Sequence, residues 1–220
     1  MAFSGLSPAG IEFYEELEDD NTKAFWTANK HRYESEVKAP MTALCEELSD
    51  YGPFRLFRPY NDVRFAKGKP LYKTAQGAYT EGEGGAGYYV HFSAEGFMAG
   101  AGYYAMAKDQ LARFREAVDD DARGAEIAAI VEQLAKRYDI AAIDELKTAP
   151  RGYPKDHPRI ELLRRKGLIA SKAFGTPKWI FTKQIVTRVR QAWDDMAPMN
   201  DWLDTHVGPS ELEPMGFGGR

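Results

Sequence analysis

A single cysteine among 220 residues excludes an internal disulfide. The four histidines, His31, His91, His157 and His206, lie far apart without HxH, HExxH or CxxC spacing, so no metal is expected. No apolar run approaches the roughly 18–20 residues that a membrane span requires. The opening MAFSGLSPAGIEF lacks the basic and continuous apolar regions of a secretory signal, so cytoplasmic residence without membrane association is the expectation. There is no G-x-S-x-G elbow to support a nucleophilic triad. The stretch Gly82-Glu83-Gly84-Gly85-Ala86-Gly87 fits G-x-G-x-x-G by letter, but Tyr88-Tyr89-Val90-His91-Phe92 follows it and reads as a strand. A dinucleotide loop must instead open a helix whose N-terminus holds pyrophosphate, and Glu81 and Glu83 would repel phosphate there. The glycines therefore predict a flexible loop, and no cofactor is expected.

What is present is an ordinary globular composition with an uneven distribution of charge. The chain is 44% hydrophobic and 28% charged, long enough to bury about 70–75% of its unfolded surface. Cys45 falls with Met41, Leu44 and Leu48 at helical spacing and reads as a small buried hydrophobe. The formal charge of -4 conceals two basic segments. Residues 55–73 hold Arg55, Arg58, Arg64, Lys67, Lys69 and Lys73 against the single acid Asp62. Residues 147–172 hold Lys147, Arg151, Lys155, Arg159, Arg164, Arg165, Lys166 and Lys172 against Asp156 and Glu161. Either run can be a solvated face; two such segments lining one cleft would focus a positive potential on an anion.

The pattern along the chain predicts α+β, with residues 1–210 one domain and 211–220 a flexible tail. Ser7-Pro8 opens a capped helix with Ile11, Tyr14 and Leu17 on one face, ending near Asp20-Asn21. A second helix starts near Thr22 and carries Phe25, Trp26 and Tyr33 toward the core; Pro40 should kink it or start a new helix reaching Ser49. From Pro53 the texture becomes β-like: FRLFR, an extended piece from Tyr72 to Thr80, then GYYVHFS and GFMAGAGYY as a hairpin about Ala94-Glu95-Gly96. Helical stripes return over 107–119 and 122–138, followed by a short helix near Pro158 to Lys166, an apolar stretch Gly167 to Phe174 and a last helix from about Pro177 to Met196. The expected architecture is thus N-terminal helices, a central mainly antiparallel sheet with a hairpin, and C-terminal helices packed on it.

Two stretches carry candidate chemistry. In a strand, Asp62 and Arg64 of NDVRFAKGKPLYKT share one face while Val63 and Phe65 share the other. Asp62 can orient the Arg64 guanidinium for bidentate recognition of a phosphate or carboxylate, with Lys69, Tyr72 and Lys73 as further donors; a structural ion pair is the plain alternative. The second stretch, Ala149-Pro150-Arg151-Gly152-Tyr153-Pro154-Lys155-Asp156-His157-Pro158, is a loop stiffened by prolines. Asp156 and His157 are the candidate acid/base pair if the site is catalytic, and either can instead cap the helix that Pro158 begins. His91 shares a strand face with Tyr89 and Ser93 and reads as a satisfied sheet histidine.

These residues together resemble an uncharacterised, mainly bacterial domain-of-unknown-function family marked by R-x-x-R-D-x-R-F-x-x-(D/N)-K-x-x-Y. Here the signature runs from Arg58 through Asn61, Asp62, Arg64, Phe65, Gly68 and Lys69 to Tyr72. Phe25-Trp26 with Asn29, the strand Gly87 to His91, the PRGYPKDHP loop and the closing Pro198-Met199-Asn200-Asp201-Trp202-Leu203 carry the likeness across nearly the whole chain. The resemblance implies one domain and brings no established activity. Asn61 stands where the signature has its second arginine, and Gly68 where it has Asp or Asn.

The expected function is recognition of a small phosphorylated or carboxylated ligand. Arg64 and Arg151 would be the clamps, Asp62 the orienter, Arg58, Lys69, Lys73 and Lys155 further charges, and Tyr72 a donor or stacking wall. Two other classes fit the same residues: nucleic-acid binding, against which the acidic remainder argues, and a noncatalytic module for an acidic protein partner. The sequence sets no expectation of oligomeric state.

Overall fold

The computed structural model describes residues 3–62, 68–81 and 85–212. Helix α1, Pro8–Asp19, carries proline in its first turn, where no amide hydrogen is needed. Ser7 precedes it in extended conformation but does not cap it: its hydroxyl donates to Glu36 Oε2 at 2.5 Å. Thr22 does cap α2, Lys23–Arg32, accepting from the Phe25 amide.

Pro40 falls in the first turn of a new helix, as expected, but the chain reaches that helix through wide turns rather than a gap. Residues Tyr33–Lys38 form π turns that lead without interruption into α3, Ala39–Glu47, and Ala39 N–H donates five residues back to Glu34 O. Proline at 40 has no amide hydrogen to offer Glu36 O, the usual i−4 partner. That carbonyl faces Gly10 of α1, where an added Cβ would lie 2.7 Å away. The wide turn is therefore accommodated by a close helix approach that only glycine allows. Phe13, Tyr14, Trp26 and Tyr33 are buried around this contact, with Phe92 of the sheet edge-on to Tyr14; Phe25 is only half-buried. Cys45 is buried as expected, and burial pushes its thiol up to about 12, leaving it an unreactive hydrophobe.

The sheet has six strands in the order β1-β2-β3-β4-β6-β5. They are β1 (Arg55–Leu56), β2 (Ala75–Glu81), β3 (Gly87–Ser93), β4 (Gly96–Tyr103), β5 (Asp139–Ala141) and β6 (Leu168–Gly175). Strand β1 runs antiparallel to β2 with Leu56 opposite Ala78, and β5 antiparallel to β6 with Ile140 opposite Ala170. β3 and β4 form the expected hairpin about Ala94-Glu95. The chain is α+β. It divides into two compact units, the first Met1–Thr80, Tyr89–Ala99 and Ala173–Ala192, the second Glu81–Tyr88, Gly100–Lys172 and Trp193–Arg220.

In the second unit α4 (Lys108–Asp119) packs on α5 (Asp121–Ala135) and on α6 (Ile160–Arg164). Asp120 caps α5, its carboxylate accepting from the Ala122 and Arg123 amides. The last helix differs from expectation at both ends. It starts at Gln184, after a short 3-10 turn at Lys178–Phe181, because the Thr182 hydroxyl accepts from the Gln184 amide there. It then runs as α7 to His206 through Pro198. Ile185, Val189, Trp193, Met196, Met199 and Leu203 recur at helical spacing and are fully buried, while Pro198 lies on the exposed side. Burial of that stripe outweighs the roughly 3 kcal/mol an interior proline costs. Among the described residues no helix is long and apolar enough to cross a membrane. Residues 213–220, most of the expected tail, lie outside the described residues, as do Gly82, Glu83 and Gly84 of the glycine stretch.

Candidate functional site

The basic stretch belongs to a two-armed ribbon that extends the β1–β2 pairing. Beyond Leu56–Ala78, Phe57 N–H donates to Gly77 O at 2.9 Å, Lys73 N–H to Pro59 O at 2.8 Å and Asn61 N–H to Leu71 O at 3.0 Å, with Tyr60 bridged to Tyr72. The pairing sets Arg58 and Asp62 on one arm and Lys69, Tyr72 and Lys73 on the other. Val63, Arg64, Phe65, Ala66 and Lys67 lie outside the described residues, the expected clamp Arg64 among them. Asp62 is exposed where the described arm ends.

Two amides anchor the ribbon to the helices of the first unit. The Asn21 side chain accepts from Tyr72 N–H at 2.9 Å and donates to Tyr72 O at 3.0 Å, as a neighbouring strand would. Gln76, 1% exposed, donates to Phe57 O and Gly77 O, and its Oε1 accepts from the Tyr33 hydroxyl at 2.5 Å. Burial pushes the Tyr33 hydroxyl well up, so it stays a donor. A buried amide with these partners is satisfied, and it holds the ribbon against the π turns.

Between that helix and the ribbon lies a cavity of about 330 Å³ lined by Trp26, Lys30, Tyr33, Glu34 and Lys38 on one side and Leu56 to Tyr60 on the other. Among the described lining residues Glu34 is the one acid and is paired with Lys38 at 2.9 Å, which leaves Lys30 and Arg58 as the remaining charges. The aromatic wall is layered. Trp26 stacks on Tyr72 with centroids 4.3 Å apart and planes 8° from parallel, and Tyr60 tilts against both at 5.8 and 5.5 Å. Trp26 and Tyr72 are buried; the Trp26 Nε1–H has no acceptor among the described residues. Burial, and after it the positive charges of Arg58 and Lys69, holds the Lys73 ammonium below its usual value. Its Nζ stands 4.7 Å over the Phe57 ring. Arg58 and Lys69 thus act on Lys73 as like charges.

The proline-stiffened loop belongs to the second unit and there closes the end of α4. Arg151, Lys155 and Asp156 are exposed. His157 is buried, its Nδ1 accepting from the Arg159 amide at 3.0 Å and its Nε2 lying 3.1 Å from Asp119 Oδ1. With Nδ1 an acceptor, the proton belongs on Nε2 and points at Asp119, so the carboxylate on this histidine is not its sequence neighbour Asp156. Arg159 donates from Nε to Val118 O at 2.6 Å and from Nη2 to Asp119 O at 2.9 Å, satisfying terminal carbonyls of α4. The imidazole thus serves the turn into α6 as well as the α4 terminus. His91 Nδ1 and the Tyr89 hydroxyl share a hydrogen bond at 3.3 Å, and burial lowers the His91 pKa. Among the described residues no group of acids, histidines and cysteine is placed to hold a metal.

Lys30, Lys38, Gln76 and Asn21 were not expected at a site. Lys30 and Lys38 read as solvated helix positions until the ribbon is folded onto them. Gln76 carries one signal in retrospect, an amide in an apolar-flanked strand, which must find partners when buried.

The conserved hypothetical protein family DUF2461 matches residues 9–202. The chain belongs to the DUF2461 family. No curated protein and no solved structure matches it. For this DUF2461 chain the two departures from the resembled signature have local accounts. Asn61 donates from Nδ2 to Pro70 O at 2.9 Å and so clips the two arms together. Gly68 has φ +88°, and among the described residues, its chain neighbours aside, nothing lies within 4 Å of a Cβ there. After glycine, Asn and Asp are the residues that best tolerate positive φ, so the position calls for backbone freedom.

Proposed function

We propose that this protein binds a small phosphorylated or carboxylated ligand beside the ribbon of its first unit. Arg58 and Lys30 reach it from the two walls of the cavity, with Lys69 and Lys73 adding positive potential. Arg64 keeps the clamp role that its place in the signature suggests. The observation that carries this reading is a cavity in which, among the described lining residues, the acid Glu34 is paired with Lys38 while Lys30 and Arg58 stand on opposite walls. Like charges held together cost stability, and a bound anion offsets that cost. Cytoplasmic residence in a bacterial cell, expected from the sequence, would give the site access to soluble phosphates and carboxylates.

The test is thermal unfolding with inorganic phosphate, pyrophosphate and citrate, each against sodium chloride at matched ionic strength. At about 100 times its dissociation constant an anion bound to the native state adds roughly 2.7 kcal/mol, several degrees in midpoint for a chain of this size. The gain should shrink in Arg58→Ala, whose side chain is exposed. No anion-specific gain in the wild type, or an undiminished one in the variant, would overturn the assignment.

A further inference from the structure

The walls of the proposed anion site are mostly rings, and their exposure is graded. Trp26 and Tyr72 are 4% and 6% exposed and complete a buried parallel stack, whereas Tyr60 and Phe57, on the ribbon arm that lines the same cavity, are 45% and 39% exposed. A ribbon that needed aromatics only for anchoring would bury them. Tyr60 instead leans on the buried pair, stays partly exposed and contributes to the cavity lining, one residue beyond Pro59 and two beyond Arg58. Opposite it, Lys30, Glu34 and Lys38 recur every four residues along α2 and the π turns, making one polar stripe on the helical wall. The cavity thus pairs an open ring with cations a short distance away. Its volume of about 330 Å³ suits a compact ligand with a ring and one acidic group, at the low end of small-molecule sites.

Resting on the anion reading above, we infer that the ligand is a planar aromatic anion whose ring stacks on Tyr60 while its phosphate or carboxylate meets Arg58 and Lys30. A nucleoside monophosphate and an aryl carboxylate share this chemistry. Stacking on tyrosine tolerates any ring with a π face, and the guanidinium selects the acidic group. The ring supplies discrimination that charge alone does not, because phosphate and sugar phosphates carry the same anion without the flat apolar face.

The experiment is calorimetric titration of the full chain with adenosine 5′-monophosphate, indole-3-acetate, ribose 5-phosphate and adenosine. The inference predicts that one or both aromatic anions bind about tenfold or more tightly than ribose 5-phosphate and adenosine, with the better of the two naming the source. Tyr60→Ala should bring the aromatic anion down to the level of ribose 5-phosphate, Tyr60→Phe should keep the margin, and Tyr60→Leu, which preserves packing on Trp26 and Tyr72, should lose most of it. Ribose 5-phosphate binding as tightly as both aromatic anions, or a margin unmoved by Tyr60→Leu in a folded protein, overturns the aromatic inference and leaves the anion reading standing. Adenosine binding as well as its monophosphate, or no binding by any anion, overturns both.

Discussion

Trp26 and Tyr72 stack face to face, centroids 4.3 Å apart and planes 8° from parallel, and both are buried. With the Asn21 clamp on the Tyr72 backbone, this contact fastens the ribbon to α2. Trp26→Ala should cost about 3–5 kcal/mol, the usual loss for a buried ring, and urea denaturation measures it. A loss under about 1 kcal/mol would mean that the ribbon is held elsewhere.

Gly68 distinguishes a conformational requirement from a chemical one. Its φ of +88° and the open space around it predict that Gly68→Asn leaves thermal stability and anion binding nearly unchanged, while Gly68→Val, β-branched, costs about 1–2 kcal/mol. Equal destabilisation by both variants would show that side-chain bulk, rather than backbone sign, is what the position excludes.

His91 gives the protein an acid-sensitive component. Burial holds its pKa below the ordinary 6.5, with Glu95 opposing more weakly, and the ring shares a hydrogen bond with the Tyr89 hydroxyl. The unfolded chain therefore binds more protons than the folded one in this range. The contribution is fully present above about pH 6.5 and is lost as pH falls through that value toward the folded pKa. Unfolding free energy followed from pH 7.5 to about 5 should decline, and His91→Gln should flatten that part of the curve. An unchanged slope in the variant would assign the acid sensitivity to other groups.

Charge and periodicity reveal some of this architecture in the sequence and hide the rest. Helices α1, α4 and α5 and the β3–β4 hairpin were legible because each follows from local pattern: an apolar stripe, a proline in the first turn, a turn between alternating runs. The π turns at Tyr33–Lys38 were not, since they depend on Glu36 O meeting Gly10 on another helix. Nor was the passage of α7 through Pro198, where tertiary burial overrides a local penalty. In the candidate site, Arg58, Lys69 and Lys73 announced themselves as a run of positive charge, and pairing of the two arms brings them together. Lys30, Lys38, Asn21 and Gln76 come from segments distant from that run and acquire meaning only from the fold. His157 was legible as a helix-associated residue of its loop, but its carboxylate partner, Asp119, is set by the packing of the loop on α4.

The central claim is that the Arg58, Lys69 and Lys73 cluster awaits an anion. The most direct measurement is the titration of the Lys73 ammonium by NMR, with and without saturating inorganic phosphate. Without phosphate the account predicts a pKa below the ordinary 10.5, held down by burial and then by Arg58 and Lys69. With phosphate it predicts an upward shift, because the anion favours the charged form. A Lys73 pKa at its ordinary value in the free protein, or one that excess phosphate leaves unmoved, would contradict the account.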